Sequence, residues 1–280
     1  MSAATAAATV AEALAAAADA LAAAGCDSAR LDAELLLADA LGADRAGLAA
    51  HPEGDVAPEA ARRFGGMVRR RVAREPVAYI LGRKGFRGIE LAVDRRVLIP
   101  RPETELLVEV ALELAPATVL DAGTGSGAVA LAIADELPGT SLVATDLSAS
   151  ALALAGENST RLELAQRVEL GPGTLPRGRD FDLVCANLPY VRDDEWDALA
   201  PEITRWEPRD ALVAGSTGLE AIEMLLASIV AGSGDISAIA LEIGEGQAPI
   251  VAKLVERAGF AETESRRDLA GIDRVVVGRQ

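Results

Sequence analysis

Residues 118–128 read Thr-Val-Leu-Asp-Ala-Gly-Thr-Gly-Ser-Gly-Ala, and this stretch constrains the fold more tightly than any other in the chain. A short apolar run, Val119-Leu120, meets Asp121 and then three glycines at alternate positions. From Ala128 to Leu137 the pattern is helical, so the segment predicts strand, tight turn and helix. Gly123, Thr124, Gly125, Ser126 and Gly127 make up the turn. Its glycines reach backbone angles closed to other residues and let a ligand lie against the main chain at a helix N-terminus. The same letters fit a dinucleotide fingerprint, with Gly123, Gly125 and Ala128 at its small positions, so a nicotinamide or flavin ligand is one reading of the turn alone.

Two further stretches stand at the carboxyl ends of predicted strands. Ser141 to Thr145 is apolar-rich and ends at Asp146, where a carboxylate can accept hydrogen bonds from both hydroxyls of a ribose. Its alternative role is an ordinary helix N-cap before Ala149–Ala155, which Ser148 could fill equally well. The third stretch, Phe181 to Tyr190, runs from the apolar strand Leu183–Ala186 into Asn187-Leu188-Pro189-Tyr190. Asn187 brings a side-chain amide and Leu188 a main-chain carbonyl to that edge. Pro189 fixes its own backbone and pushes Leu188 towards an extended conformation, which aims that carbonyl. Tyr190 supplies a flat apolar wall. A plain turn at a strand end is the competing reading.

Around these stretches the chain is 280 residues long, 50% hydrophobic and 25% charged, enough to bury a core in one large or two smaller domains. Cys26 and Cys185 form no disulfide or metal framework, and the single His51 excludes histidine-rich metal chemistry. No basic residue precedes the alanine-rich start and no apolar run is long enough to span a bilayer. A cytoplasmic protein without signal peptide or anchor is therefore expected.

The N-terminal region is helical in pattern, with low-complexity disorder as the competing reading for residues 1–9. Ala11–Ala24 ends at Gly25, Arg30–Leu41 puts Leu31, Leu35 and Ala38 on one face, and Pro58–Ala73 carries Phe64, Met67, Val68 and Val72. The prolines, glycines and alternating residues of 74–101 predict a hairpin linker, followed by a helix opening at Pro102 with Leu106, Leu107 and Val110 on its buried side. Three parts follow: a helical bundle over 1–75, a β-hairpin linker over 76–101 and an α/β domain over 102–280. The alternation of strands and helices beyond 118 predicts a doubly wound, mostly parallel sheet. Charge is uneven. The chain carries a net −16, yet residues 61–101 hold twelve Arg or Lys against three Asp or Glu. That segment is expected to form a basic belt able to steer an acidic protein partner.

Asn187-Leu188-Pro189-Tyr190 resembles the Asn-Pro-Pro-Tyr signature of S-adenosylmethionine-dependent amino methyltransferases, with leucine in place of the first proline. Arg101-Pro102-Glu103-Thr104-Glu105 upstream, and Trp206–Leu212, Leu241–Gly244 with Gln247, and Asp268–Val276 downstream, narrow the likeness to the protein-glutamine N5-methyltransferases, above all the release factor enzymes. The resemblance implies a Rossmann-like class I methyltransferase domain behind an N-terminal substrate-recognition bundle. It also implies S-adenosylmethionine as cofactor, with Gly123–Gly127, Asp146, Asn187 and Gly173 in its site, and Asn187, Leu188, Pro189 and Tyr190 around the reacting amide. In that family Gly173 lies in a loop that usually carries an acidic residue near the adenine, and here the loop reads Gly171-Pro172-Gly173-Thr174. Arg101 and Glu103 are expected to brace the tetrad. The implied substrate is the glutamine of the Gly-Gly-Gln motif in class-1 peptide chain release factors, with no direct nucleic-acid or membrane partner. A ribosomal-protein glutamine methyltransferase is the nearer alternative. An adenine N6-methyltransferase acting on a flipped base is the more distant one, disfavoured by the acidic charge.

Overall fold

The structure, a computed structural model, describes residues 8–232 and 234–280. In chain order the helices α1 (Val10–Ala23), α2 (Ala29–Leu41), α3 (Arg45–Ala50), α4 (Pro58–Val72) and α5 (Val77–Leu81) come first. The hairpin β1 (Arg83–Phe86) and β2 (Ile89–Ala92) follows, then α6 (Glu105–Leu114), β3 (Thr118–Ala122), α7 (Ala128–Glu136), β4 (Ser141–Asp146), α8 (Ala149–Arg161), β5 (Val168–Pro172) and β6 (Phe181–Ala186). The remainder is β7 (Val191–Arg192), α9 (Pro201–Trp206), β8 (Val213–Gly215), α10 (Glu220–Val230), β9 (Ile236–Glu242), α11 (Ala248–Arg257), β10 (Glu262–Arg267) and β11 (Asp273–Arg279). None of the described helices is long and apolar enough to cross a membrane.

Two compact units result, one of residues 1–82 with 201–206 and one of 83–200 with 207–280. In the first, Thr9 opens α1 with a reciprocal cap, its hydroxyl accepting from the Glu12 N–H while Glu12 accepts from the Thr9 N–H. Residues 1–7 of the low-complexity start lie outside the described residues. The expected faces of α2 and α4 hold for Ala38, Phe64, Met67 and Val68, which are buried or packed on the core, and fail at Leu31 and Val72. Leu31 and Val72 are exposed, while Asp32, Ala33, Leu36 and Leu37 of α2 and Phe64 and Arg71 of α4 are buried. The reason is an internal ion pair: Arg71 Nε donates to Asp32 Oδ2 at 2.7 Å, and its Nη1 donates to Glu202 of α9 at 2.7 Å. Arg74 also holds Glu202, and donates to the carbonyls of Ala24 and Gly25 at the end of α1. Two charged residues thus take places that an apolar stripe would fill. Residues 77–81 are helical, so the hairpin is confined to β1 and β2.

Most arginines of the expected basic belt are paired with carboxylates of the chain itself. Arg63 pairs with Asp39, Arg70 with Glu75, and Arg71 and Arg74 with Glu202. Within the second unit, Arg87 pairs with Glu136, Arg96 with Asp94 and Glu157, and Arg101 with Glu207.

That second unit is a seven-stranded sheet in the order β10-β11-β9-β6-β3-β4-β5. Strands β3, β4, β5, β6 and β9 run parallel, and β11 and β10 close one edge antiparallel. The inner strands are buried on both faces, which is why β6 and β9 read as nearly continuous apolar runs. Leu120, Val184, Ile239 and Leu241 join Ile222 and Leu225 of α10 and Val251 and Val255 of α11 in one core. Each such fully buried side chain contributes roughly 1.5–3 kcal/mol. The edge strand β10, Glu-Thr-Glu-Ser-Arg-Arg, has no apolar alternation and gave no strand signal; its charges suit a solvent-facing edge. From β3 the chain winds outward through β4 and β5, then returns to place β6 on the other side of β3. The topological switch point therefore lies between the carboxyl ends of β3 and β6, where ligands of open α/β sheets bind.

Candidate functional site

The glycine turn leaves β3 and the Asn-Leu-Pro-Tyr tetrad leaves β6, so the two predicted motifs flank the switch point. A cavity of about 640 Å³ opens between them. One end is lined by Gly123, Thr124, Gly125, Ser126, Asp146, Leu147 and Gly173, the other by Thr104, Asn187, Leu188, Pro189 and Asp210.

The turn is held from beneath by Asp121. Its Oδ2 accepts from the Thr124 hydroxyl at 2.6 Å and from the Ala130 N–H at 3.1 Å, tying the strand end to the first turn of α7. Burial raises the Asp121 carboxyl to about 6, opposed by those two hydrogen bonds and aided by the charge of Asp146. Gly123 and Gly125 have φ of +78° and +57°. A side chain on Gly123 would meet Leu188 Cδ2 at 2.9 Å, whereas one on Gly125 would meet nothing within 4 Å. Gly125 thus presents bare main chain to the cavity. Gly127 does not line it. A Cβ there would strike Leu131 at 2.8 Å, so this glycine serves the packing of α7.

Asp146 does not cap a helix. Ser148 takes that place, its hydroxyl accepting from the Ala151 N–H, while Asp146 Oδ1 accepts from the Ser148 N–H and Oδ2 from the Gly125 N–H at 2.9 Å. One carboxylate therefore fixes the turn and stands in the cavity wall. Gly173 is placed beside it by a 3.0 Å hydrogen bond from its N–H to the Asp146 carbonyl.

At the tetrad, the Asn187 amide has one engaged end. Its Nδ2 donates to the Thr104 hydroxyl at 3.0 Å, and its Oδ1 has no hydrogen-bond partner among the described residues. The Leu188 carbonyl likewise has none, and the Leu188 side chain, 8% exposed, packs over Gly123. Two acceptors without donors at the rim of a cavity suit a ligand that brings an NH₂ group. Tyr190 is not among the lining residues. Its hydroxyl donates to Glu242 Oε1 at 3.4 Å, and burial beside that carboxyl raises the phenol to about 12. Its N–H donates to the Leu212 carbonyl, and Gln247 Nε2 donates to its carbonyl at 3.2 Å. The same Nε2 donates to the Gly218 carbonyl, and Gln247 Oε1 accepts from the Gly244 N–H, so one side chain ties three loops together.

Arg101 pairs with Glu207, whose other oxygen accepts from the Ile99 N–H. Within Arg-Pro-Glu-Thr-Glu it is thus Thr104 that touches Asn187. Asp121, Thr104, Glu242 and Gln247 are the residues that motif reading passed over as functional groups. Asp121 and Glu242 had a usable signal, since each is the one charge at the carboxyl end of an otherwise apolar strand. Thr104 and Gln247 stood in the landmarks that carry the resemblance, but their partners come only with the folded chain.

Comparison with known proteins gives the family. A family model described as the PrmC N-terminal domain matches residues 12–82, and one described as a methyltransferase domain matches residues 119–207. Over 259 residues the chain is 44% identical to the release factor glutamine methyltransferase of Cereibacter sphaeroides, covering 91% of this chain and 92% of that one. The chain belongs to the release factor glutamine methyltransferase family. Its likeness to the family's Geobacter sulfurreducens member is 42% over 260 residues, covering 91% of each. Among solved structures, the hMettl16 catalytic domain in complex with MAT2A 3'UTR hairpin 6 aligns with TM-score 0.57 at 13% identity, over 72% of this chain and 79% of that one. A methyltransferase from Pyrococcus furiosus aligns with TM-score 0.51 at 13% identity, over 70% and 91%. At such identities these two likenesses show a shared fold.

Proposed function

We propose that the chain transfers a methyl group from S-adenosylmethionine to the side-chain amide nitrogen of the glutamine in the Gly-Gly-Gln motif of class-1 peptide chain release factors. The observation that carries this reading is the polarity of Asn187: its NH₂ is engaged by Thr104, so its carbonyl is left for a ligand donor. The Leu188 carbonyl adds a second acceptor. An amide nitrogen is a poor nucleophile because its lone pair is delocalised, and the two acceptors orient it and hold its hydrogens while positive charge develops there. The amide N–H bonds become more acidic as that charge grows, so a proton can leave after transfer without a strong dedicated base.

The residues present fit the cofactor. Gly125 offers main chain without a Cβ, Asp146 offers a carboxylate at the ribose position, and Gly123, Thr124, Ser126 and Gly173 complete that wall. Bound there, the cofactor supplies an electrophilic methyl on a sulfonium. We assign recognition of the protein substrate to the unit of residues 1–82, which carries the PrmC N-terminal match.

The adenine N6 reading is weakened by charge. The net charge is −16, and most arginines of residues 61–101 are already neutralised by carboxylates, leaving little to attract a phosphate backbone. Label transfer from methyl-labelled S-adenosylmethionine to purified release factor, ribosomal protein and DNA tests the assignment. Label is expected on the release factor glutamine, and label on DNA or ribosomal protein alone would overturn it.

A further inference from the structure

Tyr190 is the tetrad residue that does not line the cavity, and it is held at both ends of its main chain. Its N–H donates to the Leu212 carbonyl at 3.1 Å, joined there by the Val191 N–H at 2.9 Å. Its carbonyl accepts from Gln247 Nε2 at 3.2 Å. Its ring lies against Gly244, where an added Cβ would come within 3.2 Å of Cδ2. We infer that Gln247, which does not line the cavity either, is the positioning residue that fixes the direction of the Leu188 carbonyl through Tyr190, an assignment that rests on the proposed function only for its effect on turnover.

The oxygen and both hydrogens of the Gln247 amide are engaged, and its neighbours settle which way round it sits. Oε1 accepts from the Gly244 N–H at 2.8 Å, and Nε2 donates to the Tyr190 and Gly218 carbonyls at 3.2 Å each. A main-chain N–H only donates and a carbonyl only accepts, so the reversed amide would set like against like at all three contacts. The three partners come from the end of the tetrad, the loop before α10 and the loop after β9. One planar group therefore fixes Tyr190 to two other segments.

The Leu188 carbonyl belongs to the peptide group that joins Leu188 to Pro189, so the chain on either side of that group aims it. On the near side Pro189 keeps Leu188 extended, but Leu188 has no ring to fix its own φ. On the far side the Pro189 ring fixes φ, and what remains is the placement of Tyr190. The Leu212 carbonyl and Gln247 supply that placement. A ring at position 188 would restrain the near side as well. This chain has leucine there, so the restraint falls on the far side and on Gln247.

A double-mutant cycle in methyl transfer to release factor tests this coupling. Gln247→Met keeps much of the volume and removes all three hydrogen bonds, so it should lower kcat by about 10-fold or more with affinity for S-adenosylmethionine little changed. In a Leu188→Pro background the same change should cost about 3-fold less or better, because the ring then restrains the carbonyl from the near side. Gly244→Ala perturbs the same contacts without removing them. Gly244 lies outside the left-handed region, so alanine can take its backbone, and its Cβ would stand 3.1 Å from Gln247 Oε1 and 3.2 Å from the Tyr190 ring. It should lower kcat in the same way, and should Gln247→Met not fold, the cycle is run with Gly244→Ala. A signal without substrate comes from carbon-13 in leucine carbonyls joined to nitrogen-15 in proline. The chain has three Leu-Pro pairs, 137–138, 175–176 and 188–189, and the one lost in Leu188→Pro is Leu188. Its carbonyl resonance should move in Gln247→Met or Gly244→Ala while the other two stay. Equal losses of kcat in the two backgrounds, wild-type kcat in either variant, or an unmoved Leu188 carbonyl would each overturn the inference. A wild-type protein that leaves release factor unmethylated, while its Leu188 carbonyl still answers to Gln247→Met, would sink the substrate assignment and uphold the positioning role.

Discussion

Replacing Arg71 by methionine tests how the N-terminal unit is held together. The guanidinium lies between Asp32 and Glu202, and the Arg71 and Asp32 side chains are 7% and 6% exposed. Methionine fills much of the volume but leaves Asp32 buried with one neutral partner, the Ser28 hydroxyl at 2.8 Å. Glu202 keeps Arg74. Breaking one side of a buried pair costs about 3–5 kcal/mol, far more than the pair contributes relative to an apolar substitute. For a small unit losing about 2 kcal/mol per molar urea, the unfolding midpoint should fall by roughly 1.5–2.5 M. Trp206 belongs to this unit, and in a Trp196→Phe background it is the remaining tryptophan, so its fluorescence follows the transition. Adding Asp32→Leu should recover most of the loss, because the stranded charge is then gone. A midpoint lowered by less than about 0.5 M, or no recovery in the double variant, would refute the reasoning. It also follows that reversing Arg69, Arg70 and Arg71 together cannot measure electrostatic steering, since Arg71 is internal and its reversal would unfold the unit.

Other outcomes can be stated more briefly. Asp146→Ala should weaken S-adenosylmethionine binding in calorimetry by about 10-fold or more; α8 keeps its Ser148 cap, and loss of the two hydrogen bonds from the Gly125 and Ser148 N–H groups should cost about 1–3 kcal/mol of stability without unfolding the chain; full affinity would remove Asp146 from the site. Asp121 has its carboxyl raised from 3.8 to about 6, so the folded chain binds more protons than the unfolded one in that interval and this residue's contribution to stability falls as pH rises through it. The loss is on the order of 3 kcal/mol and should vanish in Asp121→Asn, whose Oδ1 can still accept from Thr124 and Ala130; urea midpoints at pH 4 and pH 7 in both proteins would decide. Leu188→Pro keeps the carbonyl but gives up side-chain packing over Gly123, so it should retain methyl transfer at a stability cost of about 1–2 kcal/mol; loss of activity with the fold intact would show that the leucine does more than pack.

The sheet was legible in the sequence because its signals are local. Apolar runs of five or six residues, each ending in a glycine turn, a carboxylate or the tetrad, describe the strands that flank the switch point. Gly123, Gly125, Asp146 and Asn187 could be picked out because each ends such a run. What could not be read depends on partners distant in the chain. The burial of Asp32 has no local signal, because Arg71 is 39 residues away and Glu202 lies beyond the tetrad. Leu31 and Val72 were assigned to buried faces for the same reason, since the true faces are completed by those charges. The belt of arginines before residue 101 looked free because composition counts charges without showing their partners. Thr104 was one letter of a motif until folding set it 3.0 Å from Asn187.

The measurement that bears most directly on the proposed chemistry is single-turnover methyl transfer to release factor by Asn187→Ala, with cofactor binding checked in the same preparation. Removal of the unpartnered Oδ1 deletes one of the two acceptors that orient the glutamine amide, and the rate should fall by about 10²-fold or more while cofactor affinity changes little. Transfer at the wild-type rate with cofactor bound would contradict the account.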